Sequence, residues 1–537
     1  MPNVADYVIK RLVEQKVDTV FGVPAAYCSE LFDAAPKQNV KSVVTASDLE
    51  AGYAADGYAR TKGLGAVSVA YGVGTLSIIN AIAGAYVERS PVVVINGGPT
   101  ANNLNNLTAL DVVFSHSIGK PDTDLAAYKL VTAYAGRAST VAEVPTVVDT
   151  AIATAIRRKR PVYIEINMAL WEQPLAAPTA PLNVANPPAG IEKQLATQIV
   201  QALRASAAPV ILVGDEVQRY GLADKANELI AALGVRYATT LLAKSTVGMG
   251  AGWLGTFNPP HSAAAPQTAI DNADTLLTLG AVFPGGYANT VYAKRNQLIA
   301  VYDGKVKIKG AQKQNAEIGA LVAAMIVEAK KAPPKPVPPG VMPAVPGPAT
   351  GPLTYRQIFE RIAIALDNSW LVIPDTFLGV FPSANLPTQG RDAFLCSAVW
   401  ASIGHSVSAA LGASYGSSRR PLVLCGDGGF HMTAQTLATI AHYKRNPVIV
   451  VVDNGIYGYE QYLINAAYFG SPNASPLPYV VLPRWDFVGF ATSLGFTFAK
   501  TVDTAAAFDA ALSDAKAFNG PALIAAKVDP HSKPAGI

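Results

Sequence analysis

The chain reads as an α/β protein built from three doubly wound parallel-sheet domains. Three observations predict this. Short apolar runs bounded by Gly and Pro recur along the 537 residues and alternate with segments of helical pattern. A stretch that opens with Ala332-Pro333-Pro334 and closes with Gly351-Pro352 is too rich in proline to pack as helix or sheet. Gly426-Asp427-Gly428 stands between two apolar runs, and Asp453-Asn454 follows the second of them.

In the first segment, residues 19–24 end a strand, 49–61 form a helix and 66–70 form a strand. Gly72-Val73-Gly74 opens the next helix, and residues 91–95 and 161–166 are further strands. The middle segment repeats the pattern with strands at 209–214 and 275–280. The third has strands at 370–373, 421–425, 447–452 and 522–526, with a helix at 433–443. Strands separated by helices cross over and pair mostly in parallel. The expected domains are therefore 1–185, 186–331 and 353–537. A linker at 332–352 should run extended over the surface, and a weaker boundary lies between Pro174 and Pro188.

Half of the residues are hydrophobic and 15% are charged, so large cores can be buried. The net charge of +4 is small and no long basic run occurs, which argues against nucleic acid as a partner. Cys28, Cys396 and Cys425 lie far apart without metal-ligand spacing and read as reduced thiols. The first ten residues mix charges and lack a signal-peptide core, and no apolar stretch reaches the length of a membrane span. The expectation is a soluble, cytoplasmic protein with no membrane partner.

Strand, Gly-rich turn, helix, strand is how a doubly wound sheet holds a diphosphate outside its strand ends. An Asp at the first strand end and an Asn at the second offer two oxygen ligands to one hard divalent cation. Mg²⁺ is the usual ion that bridges such oxygens to phosphates. Alone, Gly-Asp-Gly is also an ordinary turn; the flanking strands and the Asn give it its meaning.

Spacing and residue types here resemble the thiamine-diphosphate signature, Gly-Asp-Gly followed by Asn-Asn, with Asp453 in place of the first Asn. Phe21-Gly22-Val23-Pro24, Tyr53-Ala54-Ala55-Asp56-Gly57-Tyr58-Ala59-Arg60, Tyr71-Gly72-Val73-Gly74 and Trp400-Ala401-Ser402-Ile403-Gly404 precede it in that order. Over essentially its whole length the chain resembles the thiamine-diphosphate-dependent 2-keto acid decarboxylases, the pyruvate and indolepyruvate decarboxylases in particular. The resemblance implies that the N-terminal domain binds the pyrimidine and the C-terminal domain the diphosphate. It also implies a site between two subunits, in a homodimer or a tetramer of two such dimers. Gly426, Asp427, Gly428 and Gly429 would cradle the diphosphate. Asp427 and Asn454 would bind Mg²⁺ through side chains, and Ile456 through its carbonyl. Ile403 matches the bulky residue that bends the cofactor, and the Ala401 carbonyl would accept from its 4′-amino group. The cofactor supplies the electron sink, and the protein supplies geometry and charge.

Four acid–base positions carry over, and three are altered. The family's Glu for the pyrimidine N1′ corresponds to Asp48, which keeps the acid but loses one methylene of reach. Glu50 is offset by about 200° around a helix and cannot serve without a register shift. The acid of the family's Val-Pro-Gly-Asp loop corresponds to Ala26, which with Tyr27 would line the substrate pocket. The family's histidine pair corresponds to Ser115-His116, so only His116 remains. Glu460, just after the metal motif, is kept. Tyr459 stands where the family lines its substrate pocket, usually with an aliphatic side chain; it can narrow the pocket, offer a hydroxyl or simply pack. Ala26 and Ser115 read equally as drift or as tuning. His405 and His431 lie inside the cofactor motifs and either face the pocket or are structural.

The first reading is non-oxidative decarboxylation of a 2-keto acid to an aldehyde, dependent on thiamine diphosphate and Mg²⁺, with carboligation beside it. The second is a carboligase or lyase that makes or cleaves acyloins, because the altered groups are those that finish the decarboxylase cycle. A cofactor-binding protein without turnover is the third; Asp48, Glu460 and the intact metal motif argue against it. The middle domain carries no motif for chemistry and no flavin signal, and reads as scaffold.

Overall fold

The computed structural model describes residues 1–341, 350–535 and 537. Three sheets carry the chain. The first has six parallel strands in the order Lys41–Val44, Thr19–Gly22, Gly65–Ser68, Val92–Gly98, Val162–Asn167, Ala135–Ala138. Every residue of Val92–Gly98 and Val162–Asn167 is buried, which explains their continuous apolar runs: helices cover both faces. The second sheet has seven strands, and Lys305–Ile308 and Gln314–Asn315 add an antiparallel edge to an otherwise parallel set. The third has five parallel strands in the order Trp370–Pro374, Arg420–Gly426, Val448–Asp453, Ala522–Lys527, Phe498–Val502.

Two local differences from the sequence reading bear on the site. A helix, Asp427–Thr433, precedes the one expected at 433–443, which spans Thr436–His442. The first begins on the motif's own Asp, with Gly426 as its N-cap, so the glycine turn is already the first turn of a helix. The Pro-rich stretch, as far as Val341, is tied down as a strap. Lys335 N–H donates to the Leu233 carbonyl at 3.2 Å, Gly252 N–H to the Pro338 carbonyl at 2.8 Å and Val341 N–H to the Trp253 carbonyl at 2.8 Å. The rest of the expected linker, 342–349, lies outside the described residues.

The first and third sheets share one continuous core, from Val8 and Val93 through Val407 to Val451 and Leu523. The Asp48–Lys62 and His405–Gly416 helices form its seam. They meet backbone to backbone: a β-carbon at Gly412 would lie 1.7 Å from the Ala54 carbonyl oxygen, and one at Gly57 would lie 2.2 Å from that of Ala409. The second sheet has a core of its own. Its strand order reverses at Pro209–Val213, where an open sheet offers a ligand crevice. Here that crevice is filled by protein. A β-carbon at Gly214 would meet Ala281 Cα at 2.2 Å, and Glu216 pairs with Arg89 of the first segment at 2.9 Å.

Candidate active site

Strand register builds the C-terminal half of the site. Gly426 pairs with Val452 across adjacent parallel strands, so Asp427 and Asn454 emerge side by side beyond the strand ends. Both are buried, at 3% and 2% exposure. The Asp427 carboxylate accepts from Gly428 N–H at 2.9 Å and Gly455 N–H at 2.6 Å. Burial, aided by the nearby Asp453 charge, still pushes its pKa up to about 7, against the pull of those N–H groups and of Arg484. The Asn454 amide accepts from Ile456 N–H at 3.2 Å, while its buried Nδ2 has no protein partner. The Ile456 carbonyl takes Gly458 N–H at 2.8 Å and keeps a second lone pair. A buried carboxylate short of positive charge, an amide with an orphaned atom and a carbonyl make a donor set that fits a hard divalent cation. Among the described residues no cluster of three His, Cys, Asp or Glu side chains could hold a metal, so a cation here would need oxygens from its phosphate ligand as well.

These groups line a cavity of about 190 Å³. Gly426, Gly428, Gly429, Ala401, Ile403, Tyr459 and Glu460 line it too, so the C-terminal residues expected from the sequence are brought together. Tyr459 packs edge-on against Phe381, with ring centroids 5.3 Å apart. Asp453 is partly buried and pairs with Arg484 at 2.7 Å, which offsets the charge it introduces beside Asp427 and Asn454. Ala401 has φ +56°, a left-handed conformation uncommon for a residue with a β-carbon. Sequence reasoning missed Thr376 and Phe377 in this lining and Asp375 behind it. The buried Asp375 carboxylate takes Gly404 N–H at 3.0 Å and Ser406 Oγ–H at 2.6 Å, fixing the chain just after Ile403. A usable signal existed: these residues directly follow the Trp370–Pro374 strand, and ligands bind beyond strand C-termini.

The N-terminal half gathers around the Gly72-Val73-Gly74 turn. Asp48, the first residue of its helix, is partly buried and lies against that turn; a β-carbon at Gly74 would come within 3.0 Å of its carboxylate. Burial raises its pKa. Glu50 points elsewhere. It is fully buried, accepts from Ala46 N–H at 3.1 Å and lies by Thr439 of the C-terminal segment; burial lifts its pKa to about 7. Tyr27 stacks on Tyr71, lies 5.6 Å from the His116 ring and donates to the Ser115 carbonyl at 2.8 Å. Ala26, Ser115 and His116 are exposed. Buried Asp124 supports the turn by accepting from Gly72 N–H at 2.9 Å and Thr75 Oγ–H at 2.5 Å.

Although the two segments pack on one core, no described residue before Tyr355 lines the cavity around Asp427. Neither histidine of the cofactor motifs lines it either. His405 is buried with Nε2 2.7 Å from Asp56, and His431 stacks on Trp485 with centroids 4.1 Å apart.

Comparison with known proteins gives the same picture. Three family profiles match: thiamine pyrophosphate enzyme N-terminal TPP binding domain at residues 2–118, central domain at 196–328, and C-terminal TPP binding domain at 381–526. The chain is 30% identical over 512 residues to an alpha-keto-acid decarboxylase of Mycolicibacterium paratuberculosis, covering 92% of this chain and 88% of the relative. It is 31% identical over 491 residues to one of Mycobacterium ulcerans, covering 86% and 82%. A solved structure from Mycobacterium smegmatis, described as a thiamin diphosphate-dependent enzyme, superposes with a TM-score of 0.78 over 99% of this chain and 100% of the other at 20% identity, a likeness of fold. By profile, relatives and site, the chain belongs to the thiamine-diphosphate-dependent enzymes, in the family of the 2-keto acid decarboxylases.

Proposed function

We propose that the protein catalyses non-oxidative decarboxylation of a 2-keto acid to an aldehyde, dependent on thiamine diphosphate and Mg²⁺. The observation that carries this is the convergence of the Asp427 carboxylate, the orphaned Asn454 amide and the Ile456 carbonyl on one cavity with Glu460 at its mouth. When bound, thiamine diphosphate supplies the electron sink for breaking the carbon–carbon bond. Asp427, Asn454 and Ile456 hold the cation, and the glycines after Cys425 let backbone N–H groups reach the diphosphate. The Ala401 carbonyl and Ile403 orient the cofactor rings. Asp48 holds a proton at the pyrimidine, and His116 and Glu460 move protons to and from substrate and product. Residues 1–185, 186–331 and 353–537 act as pyrimidine, scaffold and diphosphate domains. The relatives named alpha-keto-acid decarboxylase support the same reaction class.

The active form we propose is a homodimer, or a tetramer of two dimers, with each site made from two copies. Two facts support it. The Asp427 cavity lacks any N-terminal residue. Exposed apolar side chains surround both halves, Val73, Val112 and Ile118 on one and Met432, Tyr479 and Val481 on the other. Three buried, unpaired cysteines support a reducing, cytoplasmic location, and no helix among the described residues is long and apolar enough to cross a membrane.

A second reading, carboligation, is favoured by Ala26 and Ser115, which cannot act as general acids at neutral pH. The test incubates purified protein, thiamine diphosphate and Mg²⁺ with a panel of 2-keto acids, with and without acceptor aldehydes. Cofactor-dependent CO₂ release with aldehyde is expected, and acyloin when an acceptor is present. No CO₂ from any keto acid, with acyloin formed or cleaved, would replace the first reading by the second; no turnover at all would refute both.

A further inference from the structure

The Val73–Val87 helix starts at the turn beneath Asp48 and ends, at its C-cap Glu88, beneath the segment that carries Ala401 and Ile403. Asn80, Gly84 and Glu88 are spaced four apart and share one face. All three touch that segment. Asn80 Oδ1 accepts from Trp400 Nε1–H at 2.8 Å, and Asn80 Nδ2 donates to Ser402 Oγ at 3.1 Å. Gly84 leaves room for the indole, since a β-carbon there would lie 2.9 Å from Trp400 Cδ1. Glu88 is fully buried and gathers three donors on one oxygen: Ser397 Oγ–H at 3.1 Å, Val399 N–H at 2.8 Å and Trp400 N–H at 2.9 Å. Its other oxygen takes Arg60 Nη2 at 2.6 Å.

This segment needs holding. Ala401 sits at φ +56°, and a residue with a β-carbon relaxes from there unless its surroundings fix it. Two consecutive N–H groups are anchored on Glu88 directly before Ala401, and Ser402 is gripped directly after it. We propose that the Asn80–Gly84–Glu88 face is a positioning template that sets the direction of the Ala401 carbonyl and of Ile403. None of the three lines the Asp427 cavity, so they act through residues 397–403 and not on the diphosphate or the substrate. The proposal rests on the cofactor reading above.

Glu88→Ala removes the acceptor of the Val399 and Trp400 N–H groups, while Arg60 keeps its partner Asp56. Without cofactor, backbone amide exchange across 397–403, followed by mass spectrometry, should quicken by about tenfold or more as the local opening becomes cheaper. With thiamine diphosphate and Mg²⁺, measured affinity should stay near that of the natural protein, since Asp427 and Asn454 are untouched. Deuterium exchange at the cofactor C2 should slow by about 10²-fold, the cost of displacing a reacting group by about 1 Å. A merely structural role would lower Tm and leave both exchange rates alone, and that result overturns the proposal. If Glu88→Ala does not fold, Asn80→Ala, at a partly exposed position, decides by the same pair of rates. A natural protein that binds no thiamine diphosphate overturns the cofactor reading and this proposal with it. Binding with unchanged exchange in the variants overturns only this proposal.

Discussion

Asp427 and Asn454 sit behind strand ends at 3% and 2% exposure, whereas Ala26, Ser115 and His116 lie in exposed loops. On the proposed function, the difference follows from what each half would handle. A diphosphate and a cation present the same charges whatever the substrate, so they can be met by rigid strand termini, backbone N–H groups and buried oxygens. Ala26, Ser115 and His116 sit in loops, which change without disturbing the core. The departures from the decarboxylase pattern fall accordingly: Asp48, Ala26 and Ser115 in the N-terminal half, against Asp453 in the C-terminal half. Arg484, 2.7 Å from Asp453, offsets even that one.

Breaking the rigid half should have the largest effect. Asp427→Ala should weaken thiamine diphosphate binding in Mg²⁺ by more than about 10²-fold, the upper cost of losing an outer-shell partner alone. Titration calorimetry measures it, and unchanged affinity would mean that the cavity is not the cofactor site. Next comes the acid of the N-terminal half. Asp48→Ala should slow C2 exchange of bound cofactor by about 10²-fold, while Glu50→Gln should leave it alone. The reverse ranking, read by NMR, would show that the helix register places Glu50 and not Asp48 at the pyrimidine.

Glu50 sharpens the contrast in another way. Its pKa rises from 4.5 to about 7, burial being the main cause. A raised carboxyl binds its proton more tightly when folded, so it costs nothing well below pH 4.5. The cost grows through the window from 4.5 to 7 and is complete above it. Glu50→Gln should therefore gain stability over the natural protein at pH 8 but not at pH 4, by on the order of 2 kcal/mol. Urea unfolding at both pH values checks the sign. The smallest effect expected is that of Ala401→Gly. Releasing a β-carbon from φ +56° should stabilise the fold by about 1 kcal/mol. A fall in the denaturation midpoint would mean that the left-handed residue carries no strain.

Much of this was legible because strand ends announce themselves. Gly426-Asp427-Gly428 and Asn454 are bounded by apolar runs, and parallel register brings such ends together. The Asp48–Lys62 helix lies within a residue of its expected limits. Edge strands such as Lys41–Val44 and Gln314–Asn315 were not legible, because they are partly or wholly exposed and lack an apolar run. Nor was the Asn80–Gly84–Glu88 face. In sequence it is an ordinary helix pattern, and the partners that give it meaning lie 309 to 322 residues away. His405 illustrates the same limit: its position inside a cofactor motif left pocket and structural roles open, and its partner Asp56, 349 residues distant, holds it in the seam.

The central claim is that the two halves act together across two copies of the chain. Asp48→Ala and Asp427→Ala should each lack decarboxylase activity as pure proteins. Co-refolded in equal amounts, half of the dimers pair one of each, and every such dimer carries one site with both halves intact. The mixture should recover about a quarter of the natural activity on that statistic. Mixed dimers isolated with two different tags and found inactive would contradict the claim and place both halves of the site within one chain.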